Sequence, residues 1–262
     1  MMNAISTSLK RFPVASFAAV TVLLSFGVDF LPIPRSGLPF ALVLIPAVVA
    51  MAVAGATEGK PAVRSLLAQL TGRRASLKWV AIALALALAM RLAISLVASF
   101  GGLIPTLQLR PANPAQVAVL ALIYLVAALS EELGWRGFAL SRLLTYRSPV
   151  LASIVLGLPW GLIHIILHLP GMWAEGLPWL PTVVPLLSLS VAISWLFVSS
   201  GYSLLVASLF HAAQSAFGFV NEGLSPLQIH GLMTLVWSAV AVLALVRMLT
   251  STELRQRALA AV

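Results

Sequence analysis

Residues 116–141 read QVAVLALIYLVAALSEELGWRGFALS, a run long enough to cross a bilayer as a helix that nonetheless carries two glutamates and an arginine in its second half. A spanning helix needs about 20 mostly apolar residues, and an ionisable side chain inside one costs about 2.5–3.5 kcal/mol on insertion scales. The stretch therefore reads as a membrane helix with a polar site built into it. Working outward, further apolar runs bounded by Pro, Gly or charge clusters fall at about 13–31, 38–55, 78–100, 149–169, 179–199, 201–220 and 227–249. With 116–141 they make eight spans, the second of them short. Ser199, Ser200 and Gly201 leave so brief a turn that the sixth and seventh spans must be antiparallel neighbours. The expected fold class is all-α: a polytopic transmembrane bundle of about eight helices around a mid-membrane polar cavity, forming one integral membrane domain over 1–262.

Composition points the same way. Of 262 residues 61% are hydrophobic and only 9% charged, against roughly 25% charged in a soluble domain. Such a chain cannot cover itself in polar surface. The net charge of +9 belongs to topology and not to nucleic acid, because Lys and Arg collect in the cytoplasmic loops of membrane proteins. A cytoplasmic N-terminus puts Lys10, Arg11, Lys60, Arg64, Arg73, Arg74, Lys78, Arg142, Arg147, Arg247, Arg255 and Arg257 inside, with Arg35 and Arg110 outside. An even number of spans then returns the C-terminus to the same side of an inner (plasma) membrane. Residues 60–78 alternate basic and apolar side chains and read as a surface-lying amphipathic helix with a topogenic role. The basic then apolar start resembles a signal peptide, but no small-residue cleavage site follows, so it reads as a retained first span. Cysteine is absent, which excludes disulfides, thiolate ligands and a cysteine nucleophile.

The polar groups inside spans carry the functional reading. Asp29 can reach the interface at the outer end of the first span and reads as structural. Arg91, in the middle of the third, needs either a carboxylate partner or a wet cavity. In the fourth, Glu132 and Arg136 are four apart and share a face as an ion pair, while Glu131 points about 100° away. One carboxylate held ionised beside a guanidinium and a second free to exchange protons is an arrangement suited to acid/base chemistry; a buried packing network would use the same residues. In the fifth span His164 and His168 lie on one helical face, with Trp160 a turn before His164. Two histidines alone do not make a metal site, and no HExxH motif is present. The seventh contributes His211, followed by Gln214 and Ser215.

These residues resemble the CAAX protease and bacteriocin-processing membrane proteins, also called the abortive-infection or type II CAAX prenyl endopeptidase-like family. The likeness lies in three ordered motifs: EExxxR at Glu131, Glu132 and Arg136; aromatic-xxx-His at Trp160 and His164; and the histidine motif at His211 within SLLVASLFHAA. It covers 116–220, which it marks as the catalytic core. The resemblance implies an intramembrane endopeptidase acting on a peptide or protein substrate, prenylated or otherwise membrane-associated. In it Glu131, helped by His164, activates a water; Glu132 supports them, Arg136 orders the carboxylates, and His211 stabilises the oxyanion, with Trp160 and Ser215 in support. The family's usual Asn or Asp four residues after the last histidine is Ser215 here, so an inactive relative is an alternative. By ligand type a divalent ion such as zinc would sit on Glu131, His164 and His211; the same residues suffice for metal-free water activation, the reading adopted.

Other proteolytic designs do not fit, since Asp29 is the only aspartate and GxSG is missing around Ser203. Two readings from other classes use the same polar set. One is a non-catalytic bacteriocin-immunity or scaffold protein that binds a partner in the pocket. The other is a small proton-coupled transporter, disfavoured by the lack of an inverted repeat.

Overall fold

The computed structural model describes residues 10–30, 32, 34–72, 75–105, 113–172 and 174–251. Nine helices organise them: α1 (Pro13–Gly27), α2 (Leu38–Glu58), α3 (Lys60–Ala68), α4 (Leu77–Phe100), α5 (Pro114–Glu132), α6 (Pro149–Ile163), α7 (Leu180–Ser199), α8 (Leu204–Ala216) and α9 (Pro226–Thr250). All except α3 belong to eight segments long and apolar enough to cross a membrane, the shortest of 18 residues. No strand occurs among the described residues. The protein is an integral membrane helix bundle, and the spans fall where the apolar runs place them. The second is longer than expected, because Ala56 to Glu58 continue the helix up to Gly59, whose φ of +81° ends it.

Local chemistry starts several of these helices. Asn113, Ser148 and Ser225 each accept a hydrogen bond from a backbone N–H of the first turn, and each is followed by a proline that needs no such bond. At Ser225 the cap is reciprocal, with the Gln228 side chain accepting from the Ser225 N–H. The hairpin between α7 and α8 turns on Gly201 and Tyr202, both in the left-handed region, with the Tyr202 ring edge-on to Phe197.

α7 is the inner helix. Ser190 and Ser194 are buried on it, and Gly157 of α6 faces Leu187 and Ser190. Small residues let membrane helices approach closely, which here replaces the hydrophobic drive that lipid removes. Basic groups gather at one end of the bundle: Arg142 pairs with Glu58, and Lys78 and Arg247 line one groove. Asp29 pairs with Arg35 near the ends of α1 and α2, consistent with a structural aspartate.

Two expectations need correction. The helix expected over 60–78 stops early: α3 runs to Ala68, a 3-10 turn follows to Thr71, and Gly72 leaves the helix at φ +67°. Arg73 and Arg74, like Arg110, Arg255 and Arg257, lie outside the described residues. Nor does α3 only skim a surface, since Leu66 is buried and Gln69 donates to the Gly137 carbonyl.

The second correction concerns the fourth span, which is not α-helical throughout. After Glu132 the backbone opens into a π-helix over Leu133–Leu140 before a last α-turn at Ser141–Leu143. All eight π-helical residues are buried, which a helix with a lipid face could not achieve. Phe17 of α1 packs on Trp135 and Phe138, while Pro46 of α2 presses against Gly134 so closely that a Cβ there would lie 2.5 Å from the Pro46 carbonyl oxygen. π-turns of this kind occur mostly at functional sites.

Candidate functional site

The site forms where α5 passes into its π-segment, beside the ends of α6 and α8. Glu131 and Glu132 close the α-helical part of the span, and both are buried. Glu132 is held at both oxygens. Its Oε2 accepts from Nη1 of Arg136 at 2.7 Å, and its Oε1 accepts from Nδ1 of His211 at 2.8 Å. Neither Glu132 nor Arg136 has any exposed side-chain surface. Arg136 continues the chain through Nη2 to the hydroxyl and carbonyl of Ser190 on α7, at 2.8 and 3.1 Å. The predicted ion pair is therefore present, and it reaches two further helices. A buried charge pair is tolerated only when its remaining hydrogen-bonding positions are filled, and Ser190 and His211 fill most of them; Arg136 Nε is without a partner.

Glu131 belongs to a second chain of contacts centred on Trp160. The fully buried indole donates from Nε1 to Glu131 Oε2 at 2.9 Å. The same residue's carbonyl accepts from Nδ1 of His164 at 2.7 Å. The rings of His164 and His211 both meet the Trp160 ring edge-on, with centroids 5.1 and 5.5 Å away, and the Arg136 guanidinium carbon lies 5.3 Å from its centroid. Trp160, a supporting residue in the sequence reading, is thus the hub on which a glutamate, an arginine and two histidines are arranged.

Hydrogen bonding defines the histidines. Because a carbonyl and a carboxylate can only accept, Nδ1 carries the proton in His164 and in His211. Nε2 is then the nitrogen each has for other work, as an acceptor in the neutral ring and as a donor only in the imidazolium.

Two pockets adjoin this cluster and have His164 in common. One, of about 190 Å³, is walled by Glu131 and His164 and otherwise by apolar side chains, among them Leu42, Val43 and Ile163. The other, of about 370 Å³, is walled by His164, His211, Gln214, Ser215, Arg91 and His230 together with apolar residues of α7 and α9.

His168 leaves the arrangement expected of it. The helix tightens into a 3-10 turn over His164–His168 just before Leu169 and Pro170, so residues four apart no longer share a face as they would at 3.6 per turn. His168 Nδ1 donates instead to the Leu177 carbonyl at 2.9 Å. Ser215 lines the larger pocket but makes no side-chain hydrogen bond to the glutamates or histidines among the described residues. Its neighbour Gln214 lines that pocket too and keeps a buried Oε1 without a hydrogen-bond partner among the described residues. His230, which sequence reasoning missed, reaches the same wall and meets the Thr182 hydroxyl at 3.0 Å. Its only prior signal was an imidazole inside an apolar run.

Glu131, His164 and His211 each spend one polar atom on Trp160 or Glu132 and keep another, Oε1 or Nε2; no group of three His, Cys, Asp or Glu side chains close enough to hold an ion occurs among the described residues.

Comparison with known proteins bears on this cluster directly. Residues 113–217 match the model of the Rce1-like type II CAAX prenyl endopeptidases, a stretch that contains every residue of the Trp160 cluster. A CAAX prenyl protease 2 of Methanococcus maripaludis is 29% identical over 133 residues, an alignment covering 46% of this chain and 48% of that protein. The match thus spans about half the length of the curated relative. Over residues 113–217, less than half of its length, the chain is similar to the Rce1-like type II CAAX prenyl endopeptidases.

Proposed function

We propose that this protein is an intramembrane endopeptidase that hydrolyses a peptide bond with a water activated between Glu131 and His164. The observation that carries the reading is that these two side chains face one small pocket while Trp160 pins both, through its indole N–H and its carbonyl. Glu131 accepts the proton as the water oxygen attacks the carbonyl carbon, then returns it to the leaving amine as the C–N bond breaks. His164 Nε2 accepts from the same water and aims it. His211 lies across Trp160 and donates to the developing oxyanion when it carries both ring protons, with Glu132 supplying the counter-charge at Nδ1. Arg136 acts through Glu132, holding it against His211, and touches neither water nor substrate. No metal takes part in these steps. The substrate is a membrane-associated peptide, of the prenylated CAAX class named for the archaeal relative. The enzyme sits in an inner membrane with both termini cytoplasmic.

The test is cleavage of an S-farnesylated CAAX peptide by the protein in liposomes. Turnover that is lost in Glu131→Ala and His164→Ala and is insensitive to chelators supports the reading. Binding of the peptide without turnover would identify a non-catalytic relative that uses the same pocket.

A further inference from the structure

Among the described residues Arg91 is the one buried arginine or lysine that the proposed chemistry does not use. It lies in the middle of α4, is 6% exposed, and is positioned entirely by neutral groups. Nε donates to the Gln214 carbonyl at 2.7 Å and Nη1 to Asn221 Oδ1 at 3.1 Å, with the Trp237 ring 5.5 Å from the guanidinium carbon. Asn221 is locked in turn, its amide donating to the Arg91 carbonyl at 2.9 Å and to the Ser95 hydroxyl at 2.8 Å. Among the described residues no carboxylate pairs with Arg91, so of the two expectations, an acidic partner or a cavity, it is the cavity that the structure supplies. Nη2 donates to none of them, and the side chain forms part of the wall of the 370 Å³ pocket that also contains His164 and His211.

A guanidinium fixed by its Nε and Nη1, with a free edge turned to a cavity inside a membrane span, is an incomplete ion pair. Burial of a charge without a counter-ion is costly, and a planar fork of N–H donors is the best match among side chains for a carboxylate. We propose that Arg91 is the anion-binding element of this pocket and receives a carboxylate of the bound peptide. The identity of the ligand rests on the endopeptidase reading. Spacing supports it: Gln214, whose carbonyl holds Arg91, follows His211 by three residues, roughly one helical turn or 5 Å along the axis. His164, His211 and Arg91 also share the wall of one pocket, so a peptide whose cleaved carbonyl lies at the histidines can place a carboxylate further along its chain at Arg91. Gln214 Oε1, buried without a partner, is an acceptor for a peptide N–H on the way.

The experiment measures binding, so that it does not depend on turnover. A short S-farnesylated CAAX-type peptide ending in leucine is prepared as the free acid, as the C-terminal amide, and as an amide with aspartate replacing the leucine. Each is titrated by fluorescence anisotropy against the Glu131→Ala protein in detergent. The acid is expected to bind at least about tenfold more tightly than the amide. Arg91→Gln should abolish that advantage and Arg91→Lys should keep part of it. If the aspartate amide binds like the acid, the carboxylate is taken from a side chain; if it binds like the plain amide, from the chain terminus. Equal binding of all three peptides to protein with Arg91 intact overturns the proposal, as does an acid advantage that survives in a folded Arg91→Gln protein. Cleavage by protein with Glu131 in place separates the two readings. Turnover without acid preference removes Arg91 alone, and acid preference without turnover removes the peptidase alone.

Discussion

Arg136 and Arg91 are both buried in the bundle, and their surroundings differ in kind. Arg136 has a carboxylate four residues away, a serine on α7 and a histidine at the far side of the carboxylate, so its charge is matched inside the protein. Arg91 has a carbonyl, an amide oxygen and an indole face, so its charge is held in place but not matched. Desolvating a cation costs several kcal/mol unless an anion shares the site. The first arrangement completes itself and holds His211 in place before any ligand arrives. The second is completed only by something that enters the pocket.

The largest effect expected in the matched region falls on turnover. Glu131→Gln keeps an acceptor for the Trp160 indole and removes only the base, so cleavage should drop about 10²–10⁴-fold while the unfolding temperature in detergent stays near the parent's. A parallel loss of both would make Glu131 a packing group. Next in size is Arg136→Met, which strands Glu132 without its counter-charge and should cost about 3–5 kcal/mol, read as a fall in the same unfolding temperature. Removing both charges in Glu132→Gln/Arg136→Met should recover much of that stability, though not the orientation of His211. A double variant as unstable as the single would show that the guanidinium matters here for its volume and not its charge.

Much of this contrast was legible beforehand, and what was hidden has a common cause. The spans could be read because apolar runs near 20 residues have few other uses, and the Glu132–Arg136 pair because spacing four survives as a contact where the α-helix ends. Facing is another matter, since it follows from sequence only while the backbone keeps 3.6 residues per turn. At His164–His168 the 3-10 turn separates two histidines that α-geometry would align. At Leu133–Leu140 the π-segment buries a stretch that α-geometry would leave half in lipid. Trp160 as hub, and Arg91 without a carboxylate, are facts of tertiary contact, and no local spacing encodes them. The nearest hint of the π-segment was a pair of glycines, Gly134 and Gly137, inside an otherwise bulky helix.

The first of those glycines, set against Gly157 of α6, gives a test of intermediate size. A Cβ at Gly134 would meet the Pro46 backbone, which cannot swing aside, so Gly134→Ala should cost about 1–3 kcal/mol as overpacking. At Gly157 the nearest atom is the tip of the Leu187 side chain, which can move, so Gly157→Ala should cost less in thermal unfolding. The reverse order would mean that the π-segment yields more readily than a leucine rotamer, and that its close seat against α2 is not what holds it.

The smallest expected effect sharpens the comparison most. Arg91→Met deletes a buried charge along with its two short hydrogen bonds, to the Gln214 carbonyl and to Asn221. Loss of those bonds leaves two acceptors unsatisfied at about 1–3 kcal/mol each, whereas removing an uncompensated guanidinium from a membrane interior returns about 2.5–3.5 kcal/mol on insertion scales. The contributions oppose, and the unfolding temperature should stay within the shift produced by roughly 1–2 kcal/mol of the parent, well short of the fall in Arg136→Met. Methionine matches the length of the apolar stem, so packing against Trp237 is largely kept. A drop as large as that of Arg136→Met would show that the charge of Arg91 is balanced within the bundle itself, and the difference drawn between the two arginines would then vanish.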